Sequence, residues 1–253
     1  QKAYKESVEN PEEFWSELAQ NNFVWKKPWH TTLDWDFTKP EVKWFDGAQL
    51  NITENCIDRH LETRGNKTAI LFEPNDTNEA AEHISYNELS RRVNRFANVL
   101  KEQGITKGDR VCIYLPMIPE LAISVLACAR IGAVHSVVFA GFSATALAAR
   151  INDCECKMVI TSDGSYRGGK TIDLKSIVDK ALETCAYTTS VLVAKRINSN
   201  INMKSGRDHW LHPLLDNASA QCDAEIMEAE DPLFILYTSG STGKPKGMLH
   251  TTA

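Results

Sequence analysis

Several common sequence signals are missing from this chain of 253 residues, and each absence excludes a class of protein. The seven cysteines form no C-x-x-C pair, which excludes zinc-knuckle and thioredoxin-type sites and leaves scattered thiols that favour a reducing, cytoplasmic setting. No basic stripe is present and the net charge is −5, so nucleic acid is not an expected partner. The remaining composition, 43% apolar and 24% charged, is typical of a soluble globular protein.

Long apolar runs are also scarce, and one stretch decides whether a membrane is involved. Residues 131–149 carry no Asp, Glu, Lys or Arg over 19 positions, close to a membrane-spanning length. The stretch contains His135, Ser136 and Ser143, and its GAVHSVVFAGF part is typical of a strand followed by a turn. A buried parallel strand flanked by helices explains the same composition, so neither a membrane span nor a membrane partner is predicted.

Strand-like and helix-like segments alternate from residue 52 onwards, which predicts an α/β fold on a largely parallel sheet. Ser85 and Glu88 predict a capping box at the start of the first long helix, and Gly104 a terminator at its end. The predicted strands are KTAILFE, RVCIYLP, HSVVFA, KMVIT, SVLVAK and PLFILYT, and the later helices are PELAISVLACARIG, SATALAARI and TIDLKSIVDKALE. Ligands of such sheets gather at the carboxyl ends of the strands.

Aromatic residues are concentrated near the N-terminus, where five of the six tryptophans precede residue 45. A short helix is expected to start at Asn10, with Pro11 at its first position. We predict an irregular aromatic arm over residues 1–50 that packs on a body formed by residues 51–253, because aromatic side chains stabilise mainly through buried area. An arm that docks a partner is the alternative.

A first glycine-rich segment, SDGSYRGGKT at 162–171, fits the Walker A pattern. A Walker-type hydrolase or kinase also needs a later strand that ends in a metal-binding aspartate, and neither SVLVAK nor PLFILYT does. Arg167 and Lys170, separated by Gly168 and Gly169, could instead hold one phosphate through charge and backbone N–H groups. A solvated surface turn is the alternative.

A second glycine-rich segment, YTSGSTGKPKG at 237–247, follows the apolar run PLFILYT directly. It combines hydroxyl donors, glycines and two lysines, the mixture that a polyphosphate requires. A flexible Ser/Gly connector would not need the Lys-Pro-Lys sequence. The residues predicted to contact phosphate are Thr238, Ser239, Gly240, Ser241, Thr242, Gly243, Lys244, Lys246 and Gly247.

The segment YTSGSTGKPKGMLHTT resembles the phosphate loop of the adenylate-forming, AMP-binding acyl-CoA synthetase family. More narrowly, NCIDRHLETRGNKTAI, residues 84–143 and the PEEFW sequence of the arm resemble the acetyl-CoA synthetase subfamily. The resemblance covers nearly the whole chain. It implies ATP, Mg²⁺ and coenzyme A as substrates and cofactors, together with acetate.

The resemblance also implies roles for the two glycine-rich segments. The 238–247 segment would contact the ATP phosphates, and the coenzyme A site would consist of Arg167, Gly168, Gly169 and Lys170 near the 3′-phosphate, with Phe139 and Gly141 against the adenosine. Lys170 stands where many relatives have arginine, so it keeps the charge but loses the bidentate fork. The Walker A match is then coincidental.

The implied reaction joins acetate to ATP as an acetyl-adenylate and then transfers the acetyl group to coenzyme A. No catalytic residue and no metal ligand set are expected in this chain, because the family's adenine pocket, acyl pocket and catalytic lysine come later than Ala253. The sequence is therefore interpreted as the N-terminal portion of a synthetase, inactive alone and completed by a C-terminal part of the same chain.

Three alternatives remain open at this point. The chain could belong to a synthetase for another short acyl group such as propionate, to a Walker-type enzyme, or to an independent nucleotide- or coenzyme-binding module. A metal site at His209 and His212 beside Asp208 is disfavoured, since Pro213 follows at once and no second ligand pair is present. A solvated turn is predicted there.

Overall fold

A computed structural model describes residues 1–238 and 243–253 of the chain. The helices are α1 (Lys2–Glu9), α2 (Pro11–Asn22), α3 (Ile52–Cys56), α4 (Leu61–Arg64), α5 (Tyr86–Glu102), α6 (Pro119–Arg130), α7 (Ala144–Asp153), α8 (Leu174–Leu182) and α9 (Leu211–Asn217). The strands are β1 (Thr31–Asp36), β2 (Glu41–Asp46), β3 (Gln49–Leu50), β4 (Thr68–Phe72), β5 (Glu82–Ser85), β6 (Arg110–Tyr114), β7 (Val134–Val137), β8 (Met158–Ser162), β9 (Ser165–Arg167), β10 (Lys170–Ile172), β11 (Ser190–Ala194), β12 (Asp208–Trp210), β13 (Met227–Glu228), β14 (Pro232–Thr238) and β15 (Lys246–Thr251).

A seven-stranded sheet organises the molecule in the order β12-β11-β8-β6-β7-β14-β15. Its neighbouring strands are parallel except for β15, which runs antiparallel to β14. The predicted α/β fold with a largely parallel sheet is therefore confirmed. The predicted strand KTAILFE lies outside this sheet, because β4 pairs with β5 in a separate antiparallel hairpin.

Helices cover both faces of this sheet, and successive residues of a strand serve opposite faces. On β6, Val111 and Ile113 join the core beneath α5, α6 and α9, whereas Cys112 and Tyr114 join the core beneath α7 and α8. All four side chains are fully buried. The near-continuous apolar runs in the sequence therefore reflect strands that are covered on both sides.

The first long helix, α5, begins at the predicted cap, but only half of the capping box forms. The Ser85 hydroxyl accepts the N–H of Glu88 at 3.2 Å. The Glu88 carboxylate instead accepts bonds from Arg91 and Arg92, and this pairing lowers the pKa of Glu88 to about 2. The helix ends two residues before Gly104, whose φ of +80° suits glycine.

The N-terminal segment is partly packed and partly exposed. Helix α2 begins at Pro11 as predicted. Trp25, Trp29 and Phe45 pack around a small core that includes Leu50, and β3 pairs with β13. By contrast, the side chain of Trp35 on the β1–β2 hairpin is 52% exposed. The division at residue 50 stays a prediction.

The long uncharged stretch at 131–149 is divided between two elements. Strand β7 buries His135 and Ser136 inside the sheet, and α7 begins after Ser143. Within the described ranges, no helix has both the length and the apolar character needed to cross a membrane.

Candidate functional site

The carboxyl ends of five neighbouring parallel strands lie at one edge of the sheet. The segments that follow β6, β7, β8, β11 and β14 all start at this edge. Both glycine-rich segments are among them, one after β8 and the other after β14. This is the edge at which ligands bind in open α/β sheets, and the sequence analysis expected ligands at the same strand ends.

The first glycine-rich segment forms a tight antiparallel hairpin instead of a Walker-type loop. Strands β9 and β10 pair directly, with Gly168 and Gly169 as the two turn residues and a φ of +58° at Gly168. Helix α8 therefore begins only at Leu174, so the prediction that Thr171, Ile172 and Asp173 belong to the helix is wrong. The β-branched Thr171 and Ile172 are instead used for strand pairing.

The hairpin places two cations opposite each other. Arg167 and Lys170 are direct cross-strand partners, and both side chains are exposed. Like charges in such a position destabilise a strand pair, because Cβ atoms of opposed residues are about 4.5–5.5 Å apart. A phosphate bound between the two cations would turn this cost into a favourable interaction.

A cavity of about 260 Å³ lies beside the hairpin and contains three of the six residues predicted for coenzyme A. Phe139, Gly141 and Arg167 line it, whereas Gly168, Gly169 and Lys170 lie on the adjoining exposed turn. The Phe139 ring is 64% exposed, and it covers Gly141. A Cβ at Gly141 would lie 2.3 Å from a carbon of that ring, so a larger residue at 141 would displace the ring from this position.

Arg196 is a cavity residue that the sequence reasoning missed. It follows β11, and its guanidinium makes a bidentate ion pair with Glu79 at 2.6 and 3.0 Å. The same guanidinium lies over the rings of Tyr166 and Phe72, at 5.2 and 5.7 Å from the ring centroids. Its position after a predicted strand was an available signal, but nothing local in the sequence indicated Glu79.

A buried carboxylate fixes the backbone that carries Arg196. Asp163 follows β8 and is fully buried. It accepts the backbone N–H groups of Arg196, Ile197 and Ser199 at 2.7, 3.1 and 3.1 Å. These bonds satisfy the charge inside the protein, so Asp163 stabilises the loop after β11.

The second glycine-rich segment is described only in part, since Ser239, Gly240, Ser241 and Thr242 lie outside the described residues. Thr238 ends β14 and pairs with Lys246, which begins β15. Lys244 and Lys246 are exposed, and Gly243 has a φ of +79°. Gly247 belongs to β15 and faces Tyr237; a Cβ there would approach the Tyr237 ring to 3.2 Å.

Aromatic and polar contacts connect β14 to the segment that follows β7. The Tyr237 hydroxyl donates to Asp153 at 2.6 Å and contacts the Cys154 thiol at 3.0 Å. The Arg150 guanidinium lies over the rings of Phe142 and Tyr237. Helix α7 therefore links the end of β14 to the segment that follows β7 at the candidate site.

The segment RDHWLHP is not the solvated turn that was predicted. Asp208 and His209 belong to the edge strand β12, and His212 and Pro213 to the first turn of α9. Asp208 is buried and pairs with Lys175 at 2.8 Å, so its carboxylate already has a cationic partner. Among residues 1–238 and 243–253, no group of three or more His, Cys, Asp or Glu residues could hold a metal ion.

Two family models together match the whole chain. The model described as "AMP-binding enzyme" matches residues 57–253, and the model described as "Acetyl-coenzyme A synthetase N-terminus" matches residues 1–56. The first match covers well over half of the chain and includes both glycine-rich segments.

Individual relatives agree with the family models. The chain is 57% identical over 252 residues to acetyl-coenzyme A synthetase 2 of Pseudomonas aeruginosa and 54% identical over 253 residues to acetyl-coenzyme A synthetase of Halorhodospira halophila. Each match covers 100% of this chain but 39% of the relative. A solved acetoacetyl-CoA synthetase from Streptomyces lividans superposes with a TM-score of 0.88 at 28% identity, over 98% of this chain and 37% of that one.

Proposed function

The chain belongs to the family of AMP-binding enzymes, and from this membership we propose that it provides coenzyme- and nucleotide-facing elements of an AMP-forming acetyl-CoA synthetase. The proposed reaction converts ATP, acetate and coenzyme A into acetyl-CoA, AMP and diphosphate. We propose acetate, and not another short acid, because acetyl-CoA synthetases match the entire chain at 54–57% identity.

The reaction has two steps, and the described residues contribute binding and orientation to each. A carboxylate oxygen first attacks the α-phosphorus of ATP and diphosphate leaves. The coenzyme thiol then attacks the acetyl carbon and AMP leaves. Because phosphate chemistry depends mainly on positioning and charge stabilisation, placed lysines and glycines account for a large part of what a protein must supply.

The opposed cations of the β9–β10 hairpin carry the proposal for coenzyme A. Arg167 and Lys170 would hold the 3′-phosphate, because their mutual repulsion is otherwise uncompensated in the described structure. The exposed ring of Phe139 offers a flat apolar surface for the adenine, and Gly141 allows that ring to lie close to the backbone.

The segment at 238–247 would contact the phosphates of ATP, with Lys244 and Lys246 supplying positive charge. Mg²⁺ bound with the nucleotide would spread the phosphate charge. The described residues offer no metal-ligand cluster, so we place no metal ion on them. A cytoplasmic location is proposed as well, since all seven cysteines are free thiols.

The proposal predicts that Lys244→Ala combined with Lys246→Ala slows acetyl-adenylate formation, because two charges at the phosphates are lost. The measurement is acetate-dependent exchange of labelled diphosphate into ATP, in a polypeptide that extends this sequence to the length of its relatives. Lys2→Ala with Lys5→Ala on α1 is the matched control. An unchanged exchange rate in the loop variant would remove this segment from the adenylation step.

A further inference from the structure

A second polar cavity, of about 210 Å³, lies between α5, α6 and α9 and shares no lining residue with the coenzyme-facing cavity. Helix α5 contributes three arginines to it, Arg91, Arg92 and Arg95. Apolar walls are formed by side chains such as Phe96 and Ile123. Charged groups beside such walls interact more strongly than they would in water.

Arg95 is the unusual member of this group. Within the described part of the chain, its side chain makes no ion pair and no hydrogen bond. Its Nε atom is buried without an acceptor. A buried donor that lacks a partner is costly, and an acceptor from outside the described residues would remove this cost.

The neighbouring arginines are already committed to carboxylates. Arg91 and Arg92 both donate to Glu88, and Arg92 also donates to Glu82. Arg91 and Arg95 are four residues apart on α5, a spacing at which like charges repel. The charge of Arg95 is therefore the one that an incoming anion would compensate.

His212 also lines this cavity, and its hydrogen bond fixes which ring nitrogen accepts. Its Nε2 atom accepts the backbone N–H of Lys195 at 3.1 Å. A neutral imidazole in this arrangement carries its proton on Nδ1, which makes Nδ1 a second donor.

Two carboxylates complete the polar lining, Glu120 from α6 and Asp216 from α9. Ionised carboxylates only accept hydrogen bonds, so they repel an anion without a proton and favour one that carries a proton. We propose that this cavity is a binding site for a small protonated oxyanion, held by Arg95 and selected by Glu120 and Asp216.

Inorganic phosphate is the probe that fits this combination. Phosphate retains at least one proton at neutral pH and can donate to a carboxylate while accepting from a guanidinium. Sulfate has a similar size and shape but no proton at neutral pH. The site should therefore bind phosphate at least tenfold more tightly than sulfate, a difference of about 1.4 kcal/mol.

The experiment is calorimetric titration of the chain with phosphate and with sulfate at constant ionic strength, together with NMR detection of the Arg95 Nε–H group. We expect phosphate to shift this resonance and Arg95→Gln to weaken phosphate binding at least tenfold. Lys101→Gln removes the same charge from an exposed position on α5 and should leave binding unchanged. Arg167→Ala with Lys170→Ala should also leave it unchanged, which separates this site from the coenzyme-facing one.

Three results would overturn the proposal: no shift of the Arg95 resonance with phosphate, equal binding of sulfate, or full phosphate binding by Arg95→Gln. If Arg95→Gln does not fold, Arg95→Lys and the resonance of the unaltered protein still decide the question. Loss of phosphate binding in the Arg167 and Lys170 variant alone would assign the anion to the coenzyme-facing cavity instead.

Discussion

At the scale of single residues, His135 shows how burial controls a titratable group. It lies inside the sheet on β7, its ring stacks on Phe234, and its Nδ1 atom has no hydrogen-bond partner within the described residues. Burial lowers the pKa of His135 to about 4 because the charged imidazolium is poorly solvated there.

This pKa predicts a loss of stability on acidification. An unfolded histidine has a pKa of about 6.5, so between pH 6.5 and 4 the unfolded state binds more protons and the free energy of unfolding decreases as the pH is lowered. The full contribution, on the order of 3 kcal/mol, is present above pH 6.5 and is lost as pH falls towards 4. Urea denaturation of the unaltered chain and of His135→Gln, at pH 7 and pH 4.5, measures the difference.

The control for this prediction is His83→Gln, because His83 is exposed on β5. That variant should retain the steep dependence between pH 6.5 and 4. If His135→Gln and the unaltered chain lose stability in parallel over this range, His135 is not the group responsible.

Arg196 gives a second prediction at this scale. Its stacking on Tyr166 and its ion pair with Glu79 support the strand that carries Arg167. Arg196→Gln should therefore weaken coenzyme A binding severalfold, and Arg196→Lys should restore little, since lysine lacks the planar bidentate fork. Calorimetry on both variants tests this, and full affinity in either would exclude the supporting role.

At the scale of elements, the β9–β10 hairpin depends on its two glycines unequally. Only Gly168 has a left-handed φ, and neither glycine has a neighbour where a Cβ would stand. Gly168→Ala should reduce the free energy of unfolding by roughly 1–2 kcal/mol and weaken coenzyme A binding, whereas Gly169→Ala should be close to neutral. Thermal unfolding and calorimetry of the pair check this; equal effects would show that the turn geometry is not limiting.

Local sequence patterns predicted those elements whose burial and capping are decided locally. Ser85 and Gly104, for example, marked the start and the end of α5. The errors came from pairing between consecutive strands, which the pattern of a single segment does not show. Thr171 and Ile172 were predicted to belong to a helix, but they pair with β9 in a hairpin. The strand KTAILFE was predicted to join the main sheet, but β4 pairs with β5 in a separate hairpin.

The candidate site residues stay a prediction, but local sequence chemistry and tertiary packing contribute to them differently. The Arg167 and Lys170 turn was recognisable because its residue types have a phosphate-binding chemistry of their own. Its position beside the same cavity as Phe139 depends on the order of the strands, which the sequence does not display. The ion pair between Glu79 and Arg196 and the cavity around Arg95 result from tertiary packing, so no sequence pattern indicated them.

At the scale of the whole molecule, two family models divide the chain, but contacts cross the boundary. The Trp44 backbone N–H donates to Glu230 at 2.6 Å, and Ala229 packs with Ala48 and Leu50. We therefore predict that the N-terminal segment unfolds together with the body. The tryptophans on the segment are Trp15, Trp25, Trp29, Trp35 and Trp44.

Tryptophan fluorescence reports mainly on that segment, whereas far-ultraviolet circular dichroism reports mainly on the helices of the body. The two signals should give coincident urea transitions if the chain is one cooperative unit. Leu50→Ala, which opens a cavity in the small core shared by both parts, should shift both transitions by about 2–5 kcal/mol. Separate transitions would show that the segment and the body are independent.

We propose above all that the hairpin at 165–172 and the adjoining cavity bind the phosphate-bearing end of coenzyme A. The direct measurement is calorimetric titration of the chain with coenzyme A and with 3′-dephospho-coenzyme A, repeated for Arg167→Ala. A charge-assisted contact is worth about 1.5–3 kcal/mol, so coenzyme A should bind about tenfold or more tightly than the dephospho form, and this gap should close in the variant. Equal affinities for the two coenzymes in the unaltered chain, or equal losses for both in Arg167→Ala, would show that the hairpin does not bind the 3′-phosphate.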